Sequence, residues 1–99
     1  MTRPKPRRRS RGETGPLASF AAFVAERRRT LELTQLDLAD LADVGVSSVR
    51  TLEAGQTSPT LAITLRIMDA LGLALVGMPN ADARALTDSA VTLHAAEDR

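Results

Sequence analysis

Cysteine is absent from this 99-residue chain, which excludes a disulfide framework, a thiolate metal site and a thiol nucleophile, and fits a reducing cytoplasm. Histidine occurs once, as His94, so no His/Cys cluster is available to hold a metal. Tryptophan and tyrosine are missing and the only aromatics are Phe20 and Phe23. Leu, Ala, Val and Ile must therefore fill the interior, a composition that favours helices packed through small side chains. No apolar run reaches the roughly 18 residues of a membrane span, and the basic N-terminus leads into no signal-type apolar stretch. No glycine-rich phosphate loop follows a strand, and the scattered Asp and Glu read as solvated helix faces. The expectation is a non-enzymatic cytoplasmic protein with no catalytic residue, metal or cofactor.

The net charge of +1 conceals a split. Residues 1–11 carry six positive charges (Arg3, Lys5, Arg7, Arg8, Arg9, Arg11) and no negative one, while the rest of the chain carries seven positive and twelve negative. A basic arm of this kind is either a solvated tail or a strap for an anionic surface such as DNA phosphate. With Pro4, Pro6, Gly12 and Gly15 among the arginines, residues 1–15 have no apolar periodicity and are expected to be disordered in isolation. A single domain is predicted over 16–79, and 80–99 is expected to be a flexible tail or a weak helix carrying Ala83, Leu86, Ala90 and Leu93.

Within 16–79 the apolar spacing changes to a helical period. Leu17, Phe20, Ala21, Val24, Arg28 and Leu31 share one face, with Pro16 near a first helical position, so helix one is predicted over 17–31. Thr34, with Asp37 three residues later, opens a second helix that runs through Leu38 and Ala39 to Ala42. Asp43 to Gly45 form a break. A third helix from Val46 to Glu53 faces Val49 and Leu52 inward and ends in Ala54-Gly55. Ser58-Pro59 signals a fourth, over 59–71, with Leu61, Leu65, Met68 and Leu71 at helical spacing up to Gly72. The run from Leu73 to Met78, stopped by Pro79, is too short for a helix and apolar on both faces, so a strand is expected. No other segment reads as a strand, and the natural partner is the same segment of a second copy, with Leu73, Leu75, Val76 and Met78 at a two-fold interface.

Two short helices joined by a tight turn let one helix brace on a DNA backbone while the next enters the major groove. The run from Leu33 to Gly55, followed by Ser58-Pro59-Thr60-Leu61 and Ala70-Leu71-Gly72, closely resembles the lambda-repressor-like (Xre-type) helix-turn-helix family over about fifty residues. The resemblance implies a compact helical domain acting in the nucleoid as a sequence-specific transcriptional repressor; with the segments read above, the expected fold is all-α, four helices followed by one short β-strand that pairs across a homodimer. Family members usually continue with a fifth helix. The apolar strand in its place resembles the HipB-type antitoxins, which implies a HipA-type serine/threonine kinase toxin as partner and autoregulation of their shared operon.

The same resemblance places Gln35 on a phosphate, where its amide would fix register without reading sequence, with Thr34 beside it; a plain exposed helix residue is the alternative. The outer face of the third helix presents Gly45, Val46, Ser47 and Arg50 as candidate base readers. Arg50 leads, because a guanidinium can bond guanine O6 and N7 together. Ser48 and Thr51 lie alongside as backbone contacts. Thr57 and Ser58, just before the fourth helix, either cap it or offer hydroxyls to phosphate. Arg7, Arg8, Arg9 and Arg11 are candidates for an adjacent minor groove. The resemblance pairs Arg28 with Glu53 as a structural salt bridge, against the alternative of an arginine stem lying along the core with its head in water. Two other readings remain open: a stand-alone Xre-type regulator, and a protein-interaction module without specific DNA binding, which exposed leucines at 36 and 41 would favour.

Overall fold

The computed structural model describes residues 16–86 and 91–93. The expected arm, with Arg7, Arg8, Arg9 and Arg11, lies outside them, as do Ala90 and His94. The chain order is α1 (Ala18–Thr30), α2 (Gln35–Ala42), α3 (Val46–Ala54), α4 (Leu61–Ala70) and a single helical turn, α5 (Asn80–Ala83).

Each boundary has a local cause. Leu17 is the N-cap of α1, its carbonyl accepting from Ala21 N–H at 2.8 Å; Pro16 lies one residue before the cap and not within the first turn. α2 opens with a reciprocal capping box. Thr34 Oγ1 accepts from Asp37 N–H and the Asp37 carboxylate accepts from Thr34 N–H, both at 2.9 Å, which satisfies two otherwise orphaned donors. α4 is capped by Thr60, whose hydroxyl accepts from Ile63 N–H at 3.2 Å. Thr57 and Ser58 are thus not its caps, and the helix begins two residues later than the Ser58-Pro59 signal suggests.

Three helices close in the same way. After α1, α2 and α4 a residue in the left-handed region (Glu32 at φ 62, Asp43 at φ 60, Gly72 at φ 72) reverses the chain. The following N–H reaches back five residues in each case, Leu33 to Arg28, Val44 to Ala39 and Leu73 to Met68, at 2.9–3.1 Å. This double closure satisfies the last carbonyls of a helix, and glycine usually occupies its turning position. Only the third copy uses one. Glu32 carries a Cβ into a conformation that costs an L-residue about 1–2 kcal/mol, partly offset by the greater unfolded-state entropy of glycine. Glu32→Gly is therefore expected to stabilise the fold by about 0.5–1 kcal/mol. A urea midpoint that fails to rise would contradict the assignment.

The core is built from one stripe of each helix: Phe20 and Val24 of α1, Leu38 of α2, Val49 and Leu52 of α3, and Ile67 and Met68 of α4, with Leu71 closing the end. α3 sits centrally, against α1, α2 and α4. Val49 and Leu52 face inward as expected, at 0% and 1% exposure. Three expected core positions differ. Leu31 lies beyond the last turn of α1 and is exposed. On α4 the buried stripe is Thr64, Ile67 and Met68, while Leu61 and Leu65 face solvent. Thr64 is tolerated inside because its hydroxyl donates to the Thr60 carbonyl at 3.0 Å, which removes the cost of an unpaired buried polar group.

The expected strand from Leu73 to Met78 is not formed. Among the described residues there is no strand, and 73–79 is neither helix nor strand. A strand exists only against a ladder partner, and no other described segment supplies one. Leu73 packs against the core, whereas Leu75, Val76 and Met78 remain exposed. Among the described residues of 80–99, expected as a flexible tail or a weak helix, α5 is the helical part, Leu86 and Leu93 are exposed, and Val91 packs against the core.

Candidate nucleic-acid interface

α2 and α3 are joined by three residues, 43–45, and the turn is fixed at both ends. Asp43 in the left-handed region ends α2, and Gly45 in an extended conformation serves as N-cap of α3. Gly45 brings no side chain to that cap, so the first-turn N–H groups of α3 point outward without an internal side-chain partner.

The outer face of α3 presents Gly45, Ser47 and Arg50 to solvent. Ser48 and Thr51 are half-buried at its flanks. Val46, expected among the base readers, is also half-buried and packs against the core cluster, so only part of its surface can reach a base edge.

Behind this face lies an ion pair that fixes α3 to α1. Arg28 Nε donates to Glu53 Oε2 at 2.8 Å and Nη2 donates to Oε1 at 2.9 Å, a bidentate contact. The third guanidinium nitrogen, Nη1, donates to the Leu33 carbonyl at 2.8 Å. The two side chains are 11% and 6% exposed, so Arg28 is paired and not extended into water. Gln35 completes the cluster, its Nε2 donating to Glu53 Oε1 at 3.0 Å. A primary amide carries two N–H groups. One of them is committed inward, which orients the other from the first turn of α2.

Burial pushes the Glu53 carboxyl up, but hydrogen bonds from Arg28 and Gln35 and the charges of Arg28 and Arg29 together hold it below its usual value. The hydrogen bond to Glu53 raises Arg28 further, despite burial, so the pair is fully ionised at neutral pH. The Thr34 N–H and hydroxyl likewise hold Asp37 down. Carboxylates with lowered folded values stabilise the protein fully above their unfolded values and lose that contribution as pH falls through the folded ones. Urea titrations between pH 7 and pH 3 should therefore show stability declining below the ordinary glutamate range of about 4–5. Glu53→Gln should flatten part of that decline; an unchanged slope would mean the pair is not formed in solution.

The surface charge runs against a simple basic patch. Asp37, Asp40 and Asp43 are all exposed on or just after α2. A positive charge reaches the turn from elsewhere: Arg66 on α4 donates from Nη1 to the Asp43 carbonyl at 3.2 Å. Sequence reasoning missed Arg66. Its signal was the inward spacing of Thr64 and Ile67, which turns position 66 outward. Thr57 and Ser58 are exposed in the loop before α4, with their hydroxyls not engaged as its caps. Leu36 and Leu41 on α2 are 60% and 62% exposed.

A short brace helix, a three-residue turn and a second helix with a polar outer face, all locked to a small helical core, define the frame of a DNA-binding regulator. A family model described as helix-turn-helix domain matches residues 19–79, and the chain belongs to that family. No curated protein and no solved structure matches it. Among the described residues no helix is long and apolar enough to cross a membrane, and no group of three or more His, Cys, Asp or Glu could hold a metal ion.

Proposed function

We propose that this protein is a sequence-specific, dimeric transcriptional repressor of the Xre type, acting on DNA in the cytoplasm and carrying out no catalysis. The observation that supports it most is α3: it is central to the core, tied to α1 through Arg28 and Glu53, and its outward face offers Arg50 and Ser47 to a groove. Arg50, Gly45, Ser47 and the exposed part of Val46 read bases. Thr34, Gln35, Ser48, Thr51, Thr57 and Ser58, joined by Arg66, contact phosphates. Neutral donors suit this surface, because Asp37, Asp40 and Asp43 would repel a close backbone. The positive charge that the face lacks is supplied by the arm at Arg7, Arg8, Arg9 and Arg11.

In its more specific form the protein is a HipB-type antitoxin with a HipA-type kinase toxin as partner. The support is the apolar stretch after α4, where a long fifth helix would otherwise follow, with Leu75, Val76 and Met78 exposed at 47%, 65% and 38%. Pairing of this stretch with its copy would cover those side chains and give its backbone a ladder. A second reading, a module that recruits a protein partner, draws on exposed Leu36 and Leu41.

Titration of labelled DNA from the region upstream of the gene, at two salt concentrations and with competitor DNA present, tests the proposal. Saturable binding at about 10⁻⁸ M or tighter is expected, weakening steeply as salt rises. Val76→Pro removes a ladder donor and should shift the dimer toward monomer in light scattering and weaken operator binding. Absence of competitor-resistant binding would leave the interaction-module reading standing.

A further inference from the structure

On the side of the molecule formed by α1, the end of α4 and the chain that follows, a cavity of about 460 Å³ is lined mostly by apolar side chains. Phe23 and Met68 form its helical wall, and Leu75, Val76, Leu86 and Val91 come from the chain beyond α4. A volume of this order, apolar with few polar groups, is that of a small-molecule site. A second hollow of about 340 Å³ shares Asn80, Ala83, Leu86 and Thr92 with the first and adds Arg84. The shared residues place the two side by side, the first mainly apolar and the second bearing the cationic Arg84.

Arg84 is the distinctive group there. Among the described residues Arg28 and Arg29 have carboxylate partners within 4.0 Å and Arg84 has none. A guanidinium beside an amide and a hydroxyl gathers several donors in one place, the arrangement that receives a carboxylate.

We infer that this hollow binds an amphipathic monocarboxylate, its apolar chain or ring lying along Phe23, Met68 and Val91 and its carboxylate at Arg84. None of these residues takes part in the proposed DNA contacts, so the inference stands or falls apart from base reading. Leu75 and Val76 also belong to the proposed pairing stretch, which makes a second copy of the chain the rival occupant.

The test is a methyl NMR titration of the full chain with octanoate, decanoate and decanol, each below its micellar concentration, with the oligomeric state followed in parallel. Saturable shifts are expected at the methyls of Met68, Leu75 and Val91. Decanoate should bind about tenfold more tightly than octanoate, since each buried methylene strengthens binding roughly three- to fourfold. Decanol should bind at least fivefold more weakly than decanoate, and Arg84→Gln should abolish that difference while leaving decanol unchanged. Equal affinity for decanoate and decanol in the unaltered chain would overturn the assignment, as would absence of chain-length dependence. So would methyls that respond to protein concentration and not to decanoate, the signature of a second copy in the hollow.

Discussion

Arg28→Met is expected to destabilise the protein by about 3–5 kcal/mol, because it leaves the Glu53 carboxylate, 6% exposed, without its counter-ion. The loss is compounded at two further points. The Leu33 carbonyl loses the donor that joins the end of α1 to the start of α2, and Gln35 is left as the remaining side-chain donor to Glu53. A small helical domain has only about 5–15 kcal/mol in total, and one of this size lies toward the lower end, so much of the population should unfold at physiological temperature. Removing both charges is a different experiment. Arg28→Met combined with Glu53→Leu replaces a nearly buried ion pair by apolar groups and should recover most of the loss, to within about 1 kcal/mol of the parent. Urea unfolding followed by circular dichroism measures both. A single variant that loses less than about 1 kcal/mol would show the pair to be no stronger than an exposed one.

Arg50→Ala should leave stability nearly unchanged, since the side chain is exposed and pairs with no carboxylate among the described residues. Its effect belongs to recognition. On the cognate site the loss should be about 1–3 kcal/mol, roughly five- to 150-fold in Kd, with little change on random DNA. Equal loss on both would move Arg50 to the phosphate contacts and leave α3 with only Gly45, Ser47 and part of Val46 to read sequence. The expectation that one arginine dominates rests on this sparse outer face.

The parts of the fold legible in the sequence were those set by neighbours along the chain. The Thr34–Asp37 box, the break at 43–45 and the inward spacing of Val49 and Leu52 are all local, and the observed boundaries of α2 and α3 follow them. The pairing of Arg28 with Glu53 is long-range and came from family resemblance; the structure supplies its geometry and adds Gln35. What failed was decided by tertiary contacts. Apolar residues surround most of α4, so hydrophobicity alone could not choose between Leu61–Leu65 and Thr64–Ile67 as the buried stripe. The hydroxyl of Thr64, bonded back to Thr60, settled it. The closures at Glu32 and Asp43 escaped notice because glycine is their usual sign. The strand expected at 73–78 takes a second copy of the chain as its partner, and a single chain supplies no ladder for it.

One contact reaches across the molecule from α1 to the last turn of α4: Arg27 Nε donates to the Leu71 carbonyl at 2.9 Å. It lies 44 residues away in sequence and one residue before the chain turns at Gly72. α1 is also the helix to which α3 is tied, through the next residue, Arg28. Consecutive arginines thus tie α3 and the departure point of residues 73–79 to a single rod. A partner engaging that stretch would therefore sit at a distance from α3 set by Arg27 and Arg28, as marks on a ruler are set.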